Sequence, residues 1–113
     1  MSEINIKFDP AVEKLIYSGK KQCTTRETRH GVRGDTFKDS RGLKYEIIAV
    51  IETKLKTAIE KYYGLEGYKS PREFFDEYCR LKGIGKEQMY DFTSSYANKP
   101  AFIHFFRLTD LEE

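Results

Sequence analysis

The chain has 113 residues, 39% hydrophobic and 34% charged, with eight Tyr, eight Phe and no Trp. That is enough to bury one core but not two independent ones, and it lies outside the disordered class. A net charge of +2 is too small to hold a nucleic-acid duplex by overall charge, so any such role must come from local clustering.

Two widely separated cysteines, Cys23 and Cys79, lack the paired spacing of a zinc site, so no metal or other cofactor is expected. The chain opens with MSEINIKF rather than an apolar signal segment, from which a reduced, cytoplasmic protein is expected. No apolar run approaches the roughly 20 residues that span a bilayer, so no membrane role is expected. Asn and Gln are scarce beside Lys and Glu, a bias that also occurs in thermophile proteins.

In chain order, Ile4, Ile6 and Phe8 alternate with Asn5 and Lys7, the period of a half-buried strand. A helix follows, capped by Asp9, with Pro10 in its first turn and Val12, Leu15 and Ile16 forming an apolar stripe. Gly19 ends it. Residues 18–33 then carry Lys20, Lys21, Arg26, Arg29 and Arg33 against Glu27 alone, a local excess larger than the charge of the whole chain. The β-branched residues here, followed by Gly31 and Gly34, predict an irregular segment with one short strand.

A hairpin turning at Ser40, Arg41 and Gly42 leads into a long strand. Its residues Tyr45, Ile47, Ala49, Ile51 and Leu55 are expected on one face, with Ile48 and Val50 on the other. Residues 57–64 read as a short helix ended by Gly64. A second helix begins with a capping box of Ser70 and Glu73, has Pro71 in its first turn, and puts Phe74, Tyr78 and Leu81 on one face. Residues 86–99 fit no single element. Residues 100–108 form a strand with aromatics on both faces. This order leaves little room for βαβ crossovers, so an α+β fold, a small mixed β-barrel with flanking helices, is expected over a doubly wound sheet.

Gly19, Lys21, Thr24 and Arg26 fit the pattern G-x-K-x-x-T-x-R. With the RGDTF step at 33–37, the GLEGYKSPREFFDEY stretch at 64–78 and the closing strand AFIHFFRL, the chain resembles the ASCH domain family, which has a PUA-like fold. The match covers nearly all of residues 1–113, read as a single domain. The resemblance implies a barrel of five or six strands with a cleft beside the first helix, suited to RNA or a nucleoside-like ligand. Some small members remove the acetyl group from 4-acetylcytidine. Their lysine, threonine and glutamate correspond to Lys21, Thr24 and Glu66. This sequence departs in having Lys20 where many members have another residue, in its longer basic run through Arg29, His30 and Arg33, and in an insertion at about 83–98.

Three functions are open on these residues. A binding module would hold RNA or a modified nucleoside through Lys20, Arg26, Arg29 and Arg33, with Tyr63 and Tyr68 stacking on a base. An amidohydrolase would use Thr24 as nucleophile, Lys21 as a base made less basic by Lys20 and Arg26, and Glu66 as an acid beside Tyr63 and Tyr68. An adaptor would leave Phe74, Phe75, Tyr78 and Leu81 uncovered for a protein partner. A monomer is expected in each case. Simpler roles stand beside these: Lys21 as a helix-terminal surface cation, Thr24 as an ordinary strand residue, and Arg26 as a brace paired with Asp35 or Glu66. His30 would be exposed, His104 a satisfied core residue, and Cys23 a packing residue.

Overall fold

The computed structural model describes residues 2–83 and 99–109. The 83–98 insertion, apart from Gly83, lies outside them. The elements run α1 (Pro10–Tyr17), β1 (Cys23–Arg26), β2 (Thr36–Lys38), β3 (Lys44–Lys54), α2 (Leu55–Tyr62), α3 (Pro71–Lys82) and β4 (Pro100–Leu108). The strands form one curled antiparallel sheet in the order β1-β4-β3-β2, a half-barrel with flanking helices. This is the expected α+β architecture. Among the described residues it has four strands where the resemblance implied five or six.

The predicted first strand is not one. Only its start reaches the sheet, through a parallel bridge of Glu3 to Thr36 with the Ile4 amide on the Thr36 carbonyl at 2.7 Å. Beyond Ile4 the chain leaves that edge, carrying Ile6 into the core before α1 begins. Asp9 caps α1 by accepting from the Ala11 amide at 2.9 Å, with Pro10 as first helical residue and Val12 and Ile16 buried.

The hairpin turns as expected, with Gly42 at φ 88°. The alternation expected along β3 fails at Ile48, where a bulge separates the Ile47–Phe106 pair from Ala49–Phe105. One extra residue moves everything after it to the opposite face. Tyr45, Ile47 and then Val50 therefore pack with Phe37, Phe106 and Ile16 of α1. Ile51 instead joins Cys23, Ile103 and Phe105 against Ala58 of α2, and Ile48 is left 43% exposed.

Helix α2 starts directly from β3, two residues earlier than expected, and stops at Tyr62. Gly64 does not supply the left-handed turn; Gly67 does, at φ 99°. In α3, Ser70 Oγ accepts from the Glu73 amide at 3.1 Å, but the Glu73 carboxylate reaches back to the Lys69 amide rather than to Ser70 itself. Gly83 closes the helix in the left-handed region. Leu55, Ile59, Phe74, Tyr78 and Cys79 form a second core with Ala101, so α1 covers one face of the sheet while α2 and α3 cover the other.

Candidate functional site

Where α1 ends, the Leu15 carbonyl accepts from the amides of both Lys20 and Lys21, each at 3.0 Å. This fixes the direction in which the chain enters β1. The Gln22 amide then donates to the Leu65 carbonyl at 2.6 Å, tying the start of β1 to the loop between α2 and α3. The next residue of that loop is Glu66, which is 2% exposed.

Side chains alternate along an extended strand, so Lys21, Cys23 and Thr25 fall on the side of Glu66. Lys21 is 4% exposed, and its ammonium pairs with Glu66 Oε1. Thr25 Oγ1 donates to Oε2 at 2.6 Å, and the Cys23 thiol lies 3.8 Å from the same oxygen. The second basic residue of the signature region thus meets a carboxylate, whereas Lys20, expected to act on it, is exposed. Burial, reinforced by the Glu66 charge, pushes the Cys23 thiol well above its ordinary range, so it packs as a neutral thiol.

Thr24 and Arg26 point to the other side. Thr24 is 4% exposed, and its hydroxyl accepts from Arg26 Nε at 3.4 Å. The Arg26 guanidinium lies 5.2 Å from the centre of the Phe8 ring and donates to the Lys7 carbonyl at 3.0 Å. Among the described residues it makes no ion pair with Asp35 or Glu66. Burial lowers its basicity, partly offset by the Glu66 charge.

Because β1 is an edge strand, both of its faces open on one cleft of about 230 Å³ between α1 and α3. Lys21, Thr24, Thr25, Arg26 and Glu66 line it, with Tyr68 and Tyr78 toward α3. Tyr68 stacks on Phe74 with ring centres 5.1 Å apart, and burial raises its hydroxyl pKa. Tyr63 packs against the second core. Arg29 sits over Phe102 at 5.7 Å, and Arg33 is exposed. Lys20, Arg29, Arg33 and Tyr63 are not among the residues lining the cleft.

His104 is fully buried and accepts from the His30 amide through Nε2 at 3.0 Å. Nδ1 must then carry the proton, which it directs at the Thr24 carbonyl, 3.3 Å away. Burial holds the ring neutral, with its pKa below the ordinary histidine value, so it is the satisfied core residue expected of it. Phe74 and Tyr78 are likewise consumed by the core and Phe75 is half-buried against it, so of the face an adaptor would offer only Leu81, 45% exposed, stands fully at the surface. Thr25 is the site residue that the sequence pattern did not single out; its signal was its parity with Lys21 along the strand.

No family model and no curated protein matches the chain. Solved structures do. The chain superposes on an ASCH domain from Lactobacillus crispatus JV V101 with TM-score 0.56 and 14% identity, covering 95% of this chain and 77% of the other. A Pyrococcus furiosus protein solved by NMR matches with TM-score 0.59 and 20% identity over 100% of both chains. The hypothetical protein PH0355 matches with TM-score 0.62 and 19% identity over 90% and 94%. At these identities the likeness is one of fold, and the fold is that of an ASCH domain. Among the described residues no helix is long and apolar enough to cross a membrane.

Proposed function

We propose that this ASCH-fold domain is an amidohydrolase acting on the acylated exocyclic amine of a pyrimidine nucleoside, with 4-acetylcytidine as the substrate that the resemblance suggests. The observation that supports this reading is convergence. Lys21, Thr24 and Glu66 come from two segments 45 residues apart and line one small cleft. Its volume of about 230 Å³ falls below the roughly 300–1,000 Å³ of drug-sized sites, which favours one nucleoside over a run of nucleotides.

The Lys21–Glu66 pair supplies acid and base together. Passing one proton from Nζ to Oε1 leaves an amine beside a carboxylic acid. The amine takes the Thr24 proton through a bridging water, since the two side chains leave β1 on opposite faces, as Oγ1 attacks the acyl carbon, and the acid protonates the leaving nitrogen as the C–N bond breaks. Water then attacks the acyl-threonine, giving its proton to Glu66 while Lys21 returns one to Thr24. Proton exchange within the pair restores the starting state.

The test is to incubate the protein with 4-acetylcytidine and follow cytidine by chromatography. Thr24→Ala and Lys21→Ala should each remove most of the turnover, while Lys20→Ala should alter affinity at most. An inactive wild type, or an equally active Thr24→Ala, overturns the reading.

A second reading, an RNA-binding module, is favoured by Lys20, Arg29 and Arg33. These three are exposed and make no ion pair among the described residues. It requires short RNAs to bind with a steep salt dependence that Arg29→Ala weakens, as read by fluorescence anisotropy.

A further inference from the structure

We infer that Thr25 is a positioning residue of this site, holding the Glu66 carboxylate in the one orientation that presents Oε1 to Lys21. The inference rests on the hydrolase reading for its kinetic consequence, but its geometry is independent of it. Glu66 divides its two oxygens between different donors, Oε1 to the Lys21 ammonium and Oε2 to the Thr25 hydroxyl at 2.6 Å. Among the described residues the other donor near Oε2 is the Cys23 thiol at 3.8 Å, a weak donor that cannot substitute for a hydroxyl.

A carboxylate tied at a single oxygen can swing about its terminal torsion, which has broad wells. A second, charge-assisted bond at the other oxygen removes that freedom. Thr25 is half-buried and lines the cleft, so the bond lies at the site rather than deep in the core. Its single hydroxyl proton is committed to Glu66, which leaves only acceptor lone pairs facing any ligand. Thr25 is therefore poorly placed to act as the nucleophile, and the adjacent Thr24, whose hydroxyl accepts from Arg26, keeps its own proton available.

The experiment compares Thr25→Val, which keeps the shape and loses the hydroxyl, with Thr25→Ser, which keeps the hydroxyl. With 4-acetylcytidine, Thr25→Val is expected to lower kcat about ten- to a hundred-fold at nearly unchanged KM, and Thr25→Ser to return it to within about threefold of wild type. Thermal denaturation supplies a readout that needs no activity. Thr25→Val should lower Tm in the wild-type background and have little effect in a Lys21→Met/Glu66→Leu background, because the coupling passes through Glu66.

If wild type turns over and Thr25→Val matches it, or if the melting shifts are equal in both backgrounds, the inference is wrong. An acyl group trapped on Thr25 in place of Thr24 also overturns it, by making Thr25 the nucleophile. If wild type is inactive, the hydrolase reading falls, and the melting cycle alone decides whether Thr25 positions Glu66.

Discussion

Replacing Lys21 with Met isolates the buried ion pair. The substitution keeps most of the apolar stem and removes the ammonium, leaving the Glu66 side chain buried with, among the described residues, only Thr25 and Cys23 as donors. Breaking a buried pair from one side costs about 3–5 kcal/mol, since the surviving charge has lost its counter-charge and is shielded from water. Unfolding entropy of about 2.1 cal/mol/K per residue over 113 residues gives about 0.24 kcal/mol/K. The expected fall in Tm is therefore about 12–20 °C. Circular dichroism melts at neutral pH measure it. The companion variant Lys21→Met/Glu66→Leu removes both charges and should recover most of the loss, to within about 1–2 kcal/mol of wild type, since an apolar pair of similar volume replaces an ion pair with little penalty. A Lys21→Met shift below about 3 °C, or a double variant as unstable as the sum of its singles, would refute the reasoning: the pair would then be solvated.

Stability should fall as the pH drops below about 6.5, because the buried His104 ring has a lowered pKa and stays neutral while the unfolded chain takes up a proton. A further loss belongs below about pH 3.9: the amides of Val32 and Ser2 hold Asp35 low, and for Asp39 the Tyr45 hydroxyl and neighbouring donors outweigh the effect of burial. Urea titrations across pH 3–7 read both, and His104→Gln should flatten the upper step. Tyr45→Phe should cost about 1.5–3 kcal/mol by removing its 2.9 Å bond to the Asp39 carboxylate, and the hydroxyl, pushed up to about 12 by burial and Asp39, should resist ionisation in a spectrophotometric titration. Gly67→Ala should cost at least about 1–2 kcal/mol, since φ is +99° and the new methyl would lie 3.2 Å from Leu15 Cδ1. Gly64→Ala, which meets nothing within 4 Å, should be neutral or slightly stabilising by chemical denaturation.

The elements that sequence reading placed well carry their own local signals. Asp9–Pro10 starts α1, Ser70–Pro71 starts α3, Gly42 turns the hairpin, and the aromatic run of β4 marks a strand covered on both sides. The misses needed knowledge of the partner strand. Nothing in residues 44–54 announces that Ile48 bulges, because the bulge is defined by Phe105 and Phe106 opposite it. Residues 4–8 have the alternation of a strand but find little edge to pair with. At the site, Lys21, Thr24 and Glu66 were legible as a set only through resemblance. The basic run did not act as a unit: Arg26 turned inward to Phe8 and Lys7 while Lys20, Arg29 and Arg33 stayed outside the cleft. Charge clustering in sequence says where cations are dense, not which way alternate side chains face.

The bond from the Gln22 amide to the Leu65 carbonyl, with the contacts of Lys21 and Thr25 to Glu66 across 45 and 41 residues, has a practical consequence. Two distant segments build the cleft jointly, so no fragment or partly folded form can offer it, and a ligand of the cleft binds the native state alone. Such a ligand raises the free energy of unfolding by RT ln(1 + [L]/Kd), about 2.7 kcal/mol at a hundredfold excess over Kd. The melting temperature therefore rises with cleft occupancy, and a thermal-shift screen of free nucleosides, their acylated forms and their monophosphates, repeated on Arg29→Ala to separate binding outside the cleft, can rank candidate ligands before any assay of turnover is devised.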